Sequence, residues 1–89
     1  MEFEFDARKS ESNRKKHGID FVEAQDLWHD PDALDMPAKT KDEHRSVVIG
    51  RMGEKYWTAV VTCRNERTRI ISVRSARKGE KELYESQGI

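Results

Sequence analysis

Three patterns of apolar and polar positions divide this chain of 89 residues. The first is alternation. The opening "EFEF" puts Phe3 and Phe5 on one face of a short strand. Asp6 then stands as the N-cap of a helix over 7–16, "ARKSESNRKK", which is almost wholly polar. Gly18 is its stop, supplying the positive φ on which many helices end. The second pattern is helical: Phe21, Ala24, Leu27 and Trp28 recur at that spacing. Asp20 and Glu23 precede it at capping-box distance, and Pro31 disfavours helix at Asp30. Residues 31–43, "PDALDMPAKTKDE", hold two prolines and scattered acids and read as a loop. The third pattern is a series of β-rich runs after His44: "RSVVIGRM", "YWTAVVTC" and "RIISVR". The gaps "GEK" and "RNERT" are of hairpin length. The last run enters a short polar helix, "SARKGEKELYES", anchored by Leu83 and Tyr84. Ala76, Glu80 and Tyr84 share its face, although Gly79 weakens the middle. The order β-α-α-β-β-β-α predicts an α+β fold, with a small antiparallel sheet and helices packed on one side. One domain over 1–89 accounts for the length.

Composition adds two constraints. Hydrophobic residues are 35% and charged residues 38%, so the core is thin and the chain gains from a partner. Cys63 is the one cysteine, which excludes an intrachain disulfide and suits a reducing compartment. Its neighbours Val60 and Val61 predict a buried, structural thiol. No apolar run approaches the roughly 20 residues of a membrane span, and the acidic "MEFEFDARK" has no signal-peptide stretch. The expectation is a soluble, cytoplasmic protein.

Net charge is zero, but it is segregated. Residues 1–18, 19–44 and 45–89 carry balances of +1, −6 and +5. A local basic field attracts a polyanion whatever the total; a mixed, solvated surface is the plain alternative.

The candidate chemistry follows from what is missing as much as from what is present. The histidines His17, His29 and His44 form no HxxH or HExxH pattern, and one cysteine makes no zinc set. Asp26, Asp30, Asp32, Asp35, Asp42 and Glu43 suggest Mg²⁺, but they lack EF-hand spacing and fit a solvated acidic segment. There is no phosphate loop and no GxSxG. What remains is a set of basic residues at element ends. Lys15, Lys16 and His17 follow Arg14 in a last helical turn, where the helix dipole alone explains them. His44 and Arg45 open one strand, Arg64 ends another, and Arg69 and Arg74 bound the last. Arg77 begins the final helix. Arg64 alternates in phase with Tyr56, Thr58, Val60 and Thr62; Arg74 does so with Ile70 and Ser72. Alternation leaves open whether those two faces coincide. For Arg74 a salt bridge to Glu80, pinning the last helix, is the alternative to a ligand contact.

A metal-free site of Arg, Lys and His suits cleavage of RNA through its own 2′-hydroxyl. The substrate carries the nucleophile, and the protein supplies proton transfer and fixed cations. On this argument His17, Lys16, Arg64 and Arg74 are the catalytic candidates. Lys15, His44, Arg45, Arg69 and Arg77 are the RNA-binding ones. No cofactor is expected.

The ordered motifs Phe5-Asp6, Asn13, Lys16-His17-Gly18, Phe21, Asp30-Pro31, Arg45, Ile49-Gly50, Arg69-Ile70-Ile71-Ser72, Arg74, Ala76, Glu80 and Tyr84 resemble the BrnT family of bacterial type II toxins. The likeness runs over about residues 3 to 85. Phe5 stands where that family more often has Trp, which keeps an aromatic anchor. The resemblance implies a RelE-like fold and a ribonuclease that arrests translation. It also implies a BrnA-like antitoxin with a ribbon-helix-helix DNA-binding element, operator DNA being met only through that antitoxin. A toxin homodimer is a further expected partnership. Two other readings compete: a non-catalytic RNA- or protein-binding module, and a scaffold whose sheet edge pairs with another chain. An acid–base imidazole beside strand-end arginines favours the enzyme.

Overall fold

The structure is a computed structural model that describes residues 1–38 and 44–87. Its elements are β1 (Phe3–Glu4), α1 (Ala7–His17), a 3₁₀ helix (Glu23–His29), β2 (Leu34–Pro37), β3 (Arg45–Met52), β4 (Lys55–Arg64), β5 (Arg67–Ser75) and α2 (Lys78–Ser86). They make one five-stranded sheet in the order β1-β5-β4-β3-β2. The expected α+β class stands, with corrections to the sheet, to one loop, to the second helix and to the placing of the helices. The sheet is mixed, because β1 runs parallel to β5. Part of the expected loop, Leu34–Pro37, pairs with β3 as an edge strand, whereas 39–43 lie outside the described residues. The second helix is 3₁₀ rather than α.

The caps form where side-chain chemistry asks for them. Asp6 accepts from the backbone N–H groups of Arg8 and Lys9 at 2.8 and 3.2 Å. Those two bonds, that to Lys9 first, hold its carboxyl below the usual value. Gly18 takes φ +79° and donates to the Arg14 carbonyl, closing α1. Asp20 and Glu23 exchange reciprocal bonds, so the capping box exists.

One sheet face carries the core. Val48, Ala59, Val61, Ile70 and Val73 meet Ile19, Phe21, Ala24 and Leu27 from the segment after α1. Phe3 packs edge-on against Trp28 and Phe5 against Phe21, as their shared face predicts. Gly50 is needed there: a Cβ on it would stand 2.8 Å from the Leu27 side chain. Helix α2 lies on the opposite face, where Glu80 reaches Thr58 and Arg74. The helices are therefore not all on one side. The sequence places Leu83 and Tyr84 as its anchors; Tyr84 is one, but Leu83 is 49% exposed. Cys63 is exposed rather than buried, because β4 runs past the core before it ends.

Both short edge strands leave backbone uncovered, and a side chain fills each gap. Beyond β1, the Asn13 amide donates to the Val73 carbonyl at 2.9 Å and accepts from its N–H at 3.1 Å. It thus continues the ladder by one residue. Beyond β2, the Asp30 carboxylate accepts from Arg51 N–H at 2.8 Å.

Candidate functional site

Registry defines what the second sheet face displays. Thr58 pairs with Arg74 and Thr62 with Arg69, and side chains of directly paired residues share a face. Arg64, in phase with both threonines along β4, is therefore on the same face as Arg74. Arg69 and Arg74 are five residues apart, which in a regular strand would oppose them. The register shift opposite Val60/Val61 leaves Ile71 as an extra residue in β5. This bulge returns Arg69 to the face of Arg74 and turns Ile70 into the core. Ile70 is accordingly not in phase with Arg74.

At one end of this face a concavity of about 220 Å³ is lined by Lys9, Arg45, Thr62, Arg64, Arg69 and Ile71. Three of its four cations are sequence candidates. Arg45 and Arg69 flank Thr62 across three strands. Arg69 is steadied by Glu4 at 3.2 Å, a neighbour that the parallel pairing of β1 places beside it. Arg64 forms no ion pair among the described residues and is exposed. It precedes a two-residue turn, Asn65-Glu66, with φ of 52° and 64°. Both central residues of such a turn are left-handed, which Asn accepts and Glu resists. Lys9 escaped the sequence argument. The signal for it is the N-cap: Asp6 starts α1 and sets its first turn beside β5. His44 is tied to this basin by its main chain, its carbonyl accepting from Thr62 Oγ1 at 3.0 Å.

The other candidates lie elsewhere. Lys15, Lys16 and His17 are exposed at the far end of α1. Lys9 and His17 are separated by eight residues, about 12 Å of helix. Arg77 precedes α2, its N–H donating to Glu80 at 2.8 Å. Arg74 lies about 13 Å along the sheet from the Thr62 row. Its guanidinium grips Glu80 with two bonds, 2.7 and 3.0 Å. Glu80 also accepts from Thr58 Oγ1 at 2.9 Å. The Arg74 bonds, with lesser help from the Arg77 N–H and Thr58, outweigh burial and hold the Glu80 carboxyl at about 2. The salt bridge to Glu80 that stands as the alternative to a ligand contact is therefore formed.

A second, larger cleft of 570 Å³ lies at the β3–β4 hairpin end, lined by Asp26, His29, Asp30, Asp32, Arg51 and Tyr84 among others. Asp30 in it is engaged by the protein itself. Asp30 accepts from Arg51 N–H, Asp32 N–H and Tyr84 Oη. Burial, then the 2.7 Å bond to Asp30, pushes the Tyr84 hydroxyl up to about 12. Among the described residues no three His, Cys, Asp or Glu side chains converge as metal ligands; Asp42 and Glu43 lie outside those residues.

Residues 5–80 match the family model described as "Ribonuclease toxin, BrnT, of type II toxin-antitoxin system". The chain belongs to the BrnT family. Its family is one of ribonuclease toxins, and membership implies an antitoxin partner. The matched span holds the whole basic basin of this BrnT chain and ends at Glu80, the residue that latches α2. No curated protein matches the chain. No helix among the described residues is long and apolar enough to cross a membrane.

Proposed function

We propose that this BrnT toxin is a cytoplasmic, metal-independent endoribonuclease that arrests translation by cleaving RNA at the basin of Lys9, Arg45, Arg64 and Arg69. The observation that carries this is the convergence of those four cations with Thr62 at one concavity. The 2′-hydroxyl oxygen attacks the adjacent phosphorus and the P–O5′ bond breaks. The 2′ proton passes to a protein base, and the departing 5′ oxygen takes a proton. A 2′,3′-cyclic phosphate remains. Arg64 and Arg69 stabilise the charge that grows on the non-bridging oxygens, Arg offering two donors in a fixed fork. Arg45 and Lys9 hold the flanking backbone. Of the three histidines, His44 is the one bonded to the basin, its main-chain carbonyl accepting from Thr62, and it is read here as the group that moves the proton. Lys15, Lys16 and His17 extend the basic track along α1, and Arg77 borders the face at α2. Arg74 acts on cleavage through the latch to α2. The scaffold is read as RelE-like, and the partner as a BrnA-like antitoxin with a ribbon-helix-helix element that alone meets operator DNA.

The test is cleavage of a defined RNA by purified toxin in EDTA. Cyclic-phosphate ends should appear, and a single 2′-deoxy substitution at the cut should stop the reaction there. His44→Gln should lower the rate roughly 10²-fold, and His17→Gln far less. RNA binding with no cleavage under any ionic condition would favour the non-catalytic module. Activity only with Mg²⁺ or Mn²⁺ would overturn metal independence.

A further inference from the structure

The cationic basin has a carboxylate beside it on the same sheet face. Strand pairing aligns one row across four strands: Glu4 of β1, Arg69 of β5, Thr62 of β4 and Arg45 of β3. Directly paired residues share a face. Glu4 therefore stands next to Arg69, while its neighbours Phe3 and Phe5 turn to the core. Its Oε2 accepts from Arg69 Nη1 at 3.2 Å. Its side chain is 30% exposed, and Oε1 carries no hydrogen bond among the described residues. Asp6, the next acid along, is occupied as an N-cap by two backbone N–H groups. The basin itself holds nothing suited to taking a proton. Arginine and lysine side chains carry donors alone, and the Thr62 hydroxyl already donates to the His44 carbonyl.

We propose that Glu4 is the base that takes the 2′-hydroxyl proton, with Arg69 fixing one of its oxygens and the substrate phosphate together. The inference rests on the ribonuclease reading above and gives its unnamed base a residue. Arginine has five donors, so Arg69 holds Oε2 with one and keeps others for the phosphate. A phosphate at Arg69 lies one strand spacing, about 4.8 Å, from the strand of Glu4, which brings the adjoining 2′-hydroxyl to Oε1. The proton passes from O2′ to Oε1, and the O2′ electron pair makes the new bond to phosphorus. The P–O5′ pair leaves with O5′, which takes its proton from His44; Glu4 ends protonated. Attacking and leaving oxygens stand in line across phosphorus, so base and acid belong on opposite sides of it. The row supplies that arrangement. Glu4 is at its β1 end, and His44 precedes Arg45 at its β3 end, three strand spacings or about 14 Å away.

The experiment compares the full-length parent, Glu4→Gln and His44→Gln on two forms of one RNA. The first has an ordinary linkage at the cut. The second has a 5′-phosphorothiolate there, whose sulfur departs without a proton. Glutamine keeps an acceptor for Arg69 but is no base. Glu4→Gln should therefore slow both linkages by roughly 10²-fold or more. His44→Gln should slow the ordinary linkage and cleave the phosphorothiolate within about twofold of the parent. Binding of the same RNA carrying a 2′-O-methyl group at the cut reports on Arg69 without chemistry. Glu4→Gln should bind it at least as tightly as the parent, with an unchanged melting temperature. Glu4→Asp, which keeps a carboxylate one methylene back, should cleave faster than Glu4→Gln. Three results would overturn the proposal: a full-rate Glu4→Gln, a rate loss matched by an equal loss of 2′-O-methyl RNA binding, or a Glu4→Asp protein that folds like the parent and is no faster than Glu4→Gln. The second would make Glu4 a tether for Arg69. Any of these with an active parent defeats this inference alone; a parent that cleaves neither linkage defeats the ribonuclease reading and this inference with it.

Discussion

The two ends of one sheet face hold arginines in opposite circumstances. At the α2 end, Arg74 is gripped by Glu80, with both side chains mostly shielded, at 24% and 18% exposure. At the other end Arg64 stands exposed beside Arg45, Arg69 and Lys9. Residue type and position within a strand are alike; Arg64 and Arg74 both lie at strand ends. What differs is whether a later element brings a carboxylate. Helix α2 buries none of its described residues, so it is fastened by polar contacts rather than by a greasy face. The Arg74–Glu80 fork, with bonds of 2.7 and 3.0 Å, is one of these. At the Arg64 end α1 brings a further cation, Lys9, rather than a carboxylate, and Arg64 has no ion pair among the described residues.

The comparison breaks most visibly at Arg64. Arg64→Ala should reduce RNA cleavage by roughly 10²-fold or more, the usual effect of losing one transition-state donor. Its melting temperature should stay near that of the parent. A full-rate, folded Arg64→Ala protein would remove the basin from the chemistry.

Arg74→Ala should behave in the reverse way. It leaves Glu80 shielded without its main partner and should cost about 2 kcal/mol of stability. In thermal unfolding this appears as a clear drop in midpoint. Cleavage should fall only with the unfolded fraction and with slackening of α2. Arg74→Lys should recover part of the loss, because lysine keeps the charge but not the fork. Cleavage lost beyond repair in a variant of unchanged stability would make Arg74 a phosphate ligand instead.

Acid probes the α2 end. The Glu80 carboxyl titrates at about 2 in the folded chain against an ordinary value of 4.5. A depressed folded value means that its stabilisation is complete above the ordinary value. It shrinks as pH falls below about 4.5 and is gone below about 2. Glu80→Gln should therefore lie below the parent in stability at neutral pH and converge with it in acid. Parallel pH–stability curves for the two proteins would contradict the latch.

The smallest effect concerns the turn that follows Arg64. Glu66 holds φ 64°, and a side chain there costs on the order of 1 kcal/mol. Glu66→Gly should relieve it, raising stability by up to about 1 kcal/mol offset by glycine's greater freedom when unfolded. Chemical denaturation would read the balance. A fall in stability would show that the turn is unstrained, or that Glu66 contributes something its exposure hides.

Much of the local structure was legible in the sequence, because its causes lie within a few residues. Asp6 caps α1, Gly18 ends it, and Asp20 and Glu23 form their box through contacts three residues apart. The β-rich runs after His44 became β3, β4 and β5, and the ordered motifs named the family that residues 5–80 match. The basic strand ends were visible as charge, but their grouping was not. Lys9 joins the basin only because α1 lies along β5. Arg69 joins it only because a bulge at Ile71 reverses the alternation. Strand β2 escaped notice because four residues with a proline carry little β signal of their own; pairing with β3 makes them a strand. Cys63 is exposed because β4 outruns the core, a matter of length against layer rather than of neighbouring residues. Arg74 and Glu80 were close enough in sequence to suggest a bridge. Only the packing of α2 over Thr58 decided that the guanidinium faces a carboxylate rather than the open end of the sheet. Caps and propensities act through bonds near in sequence, so one chain reveals them. A shared face among distant residues depends on register, bulges and helix placement, which exist only once the sheet has formed.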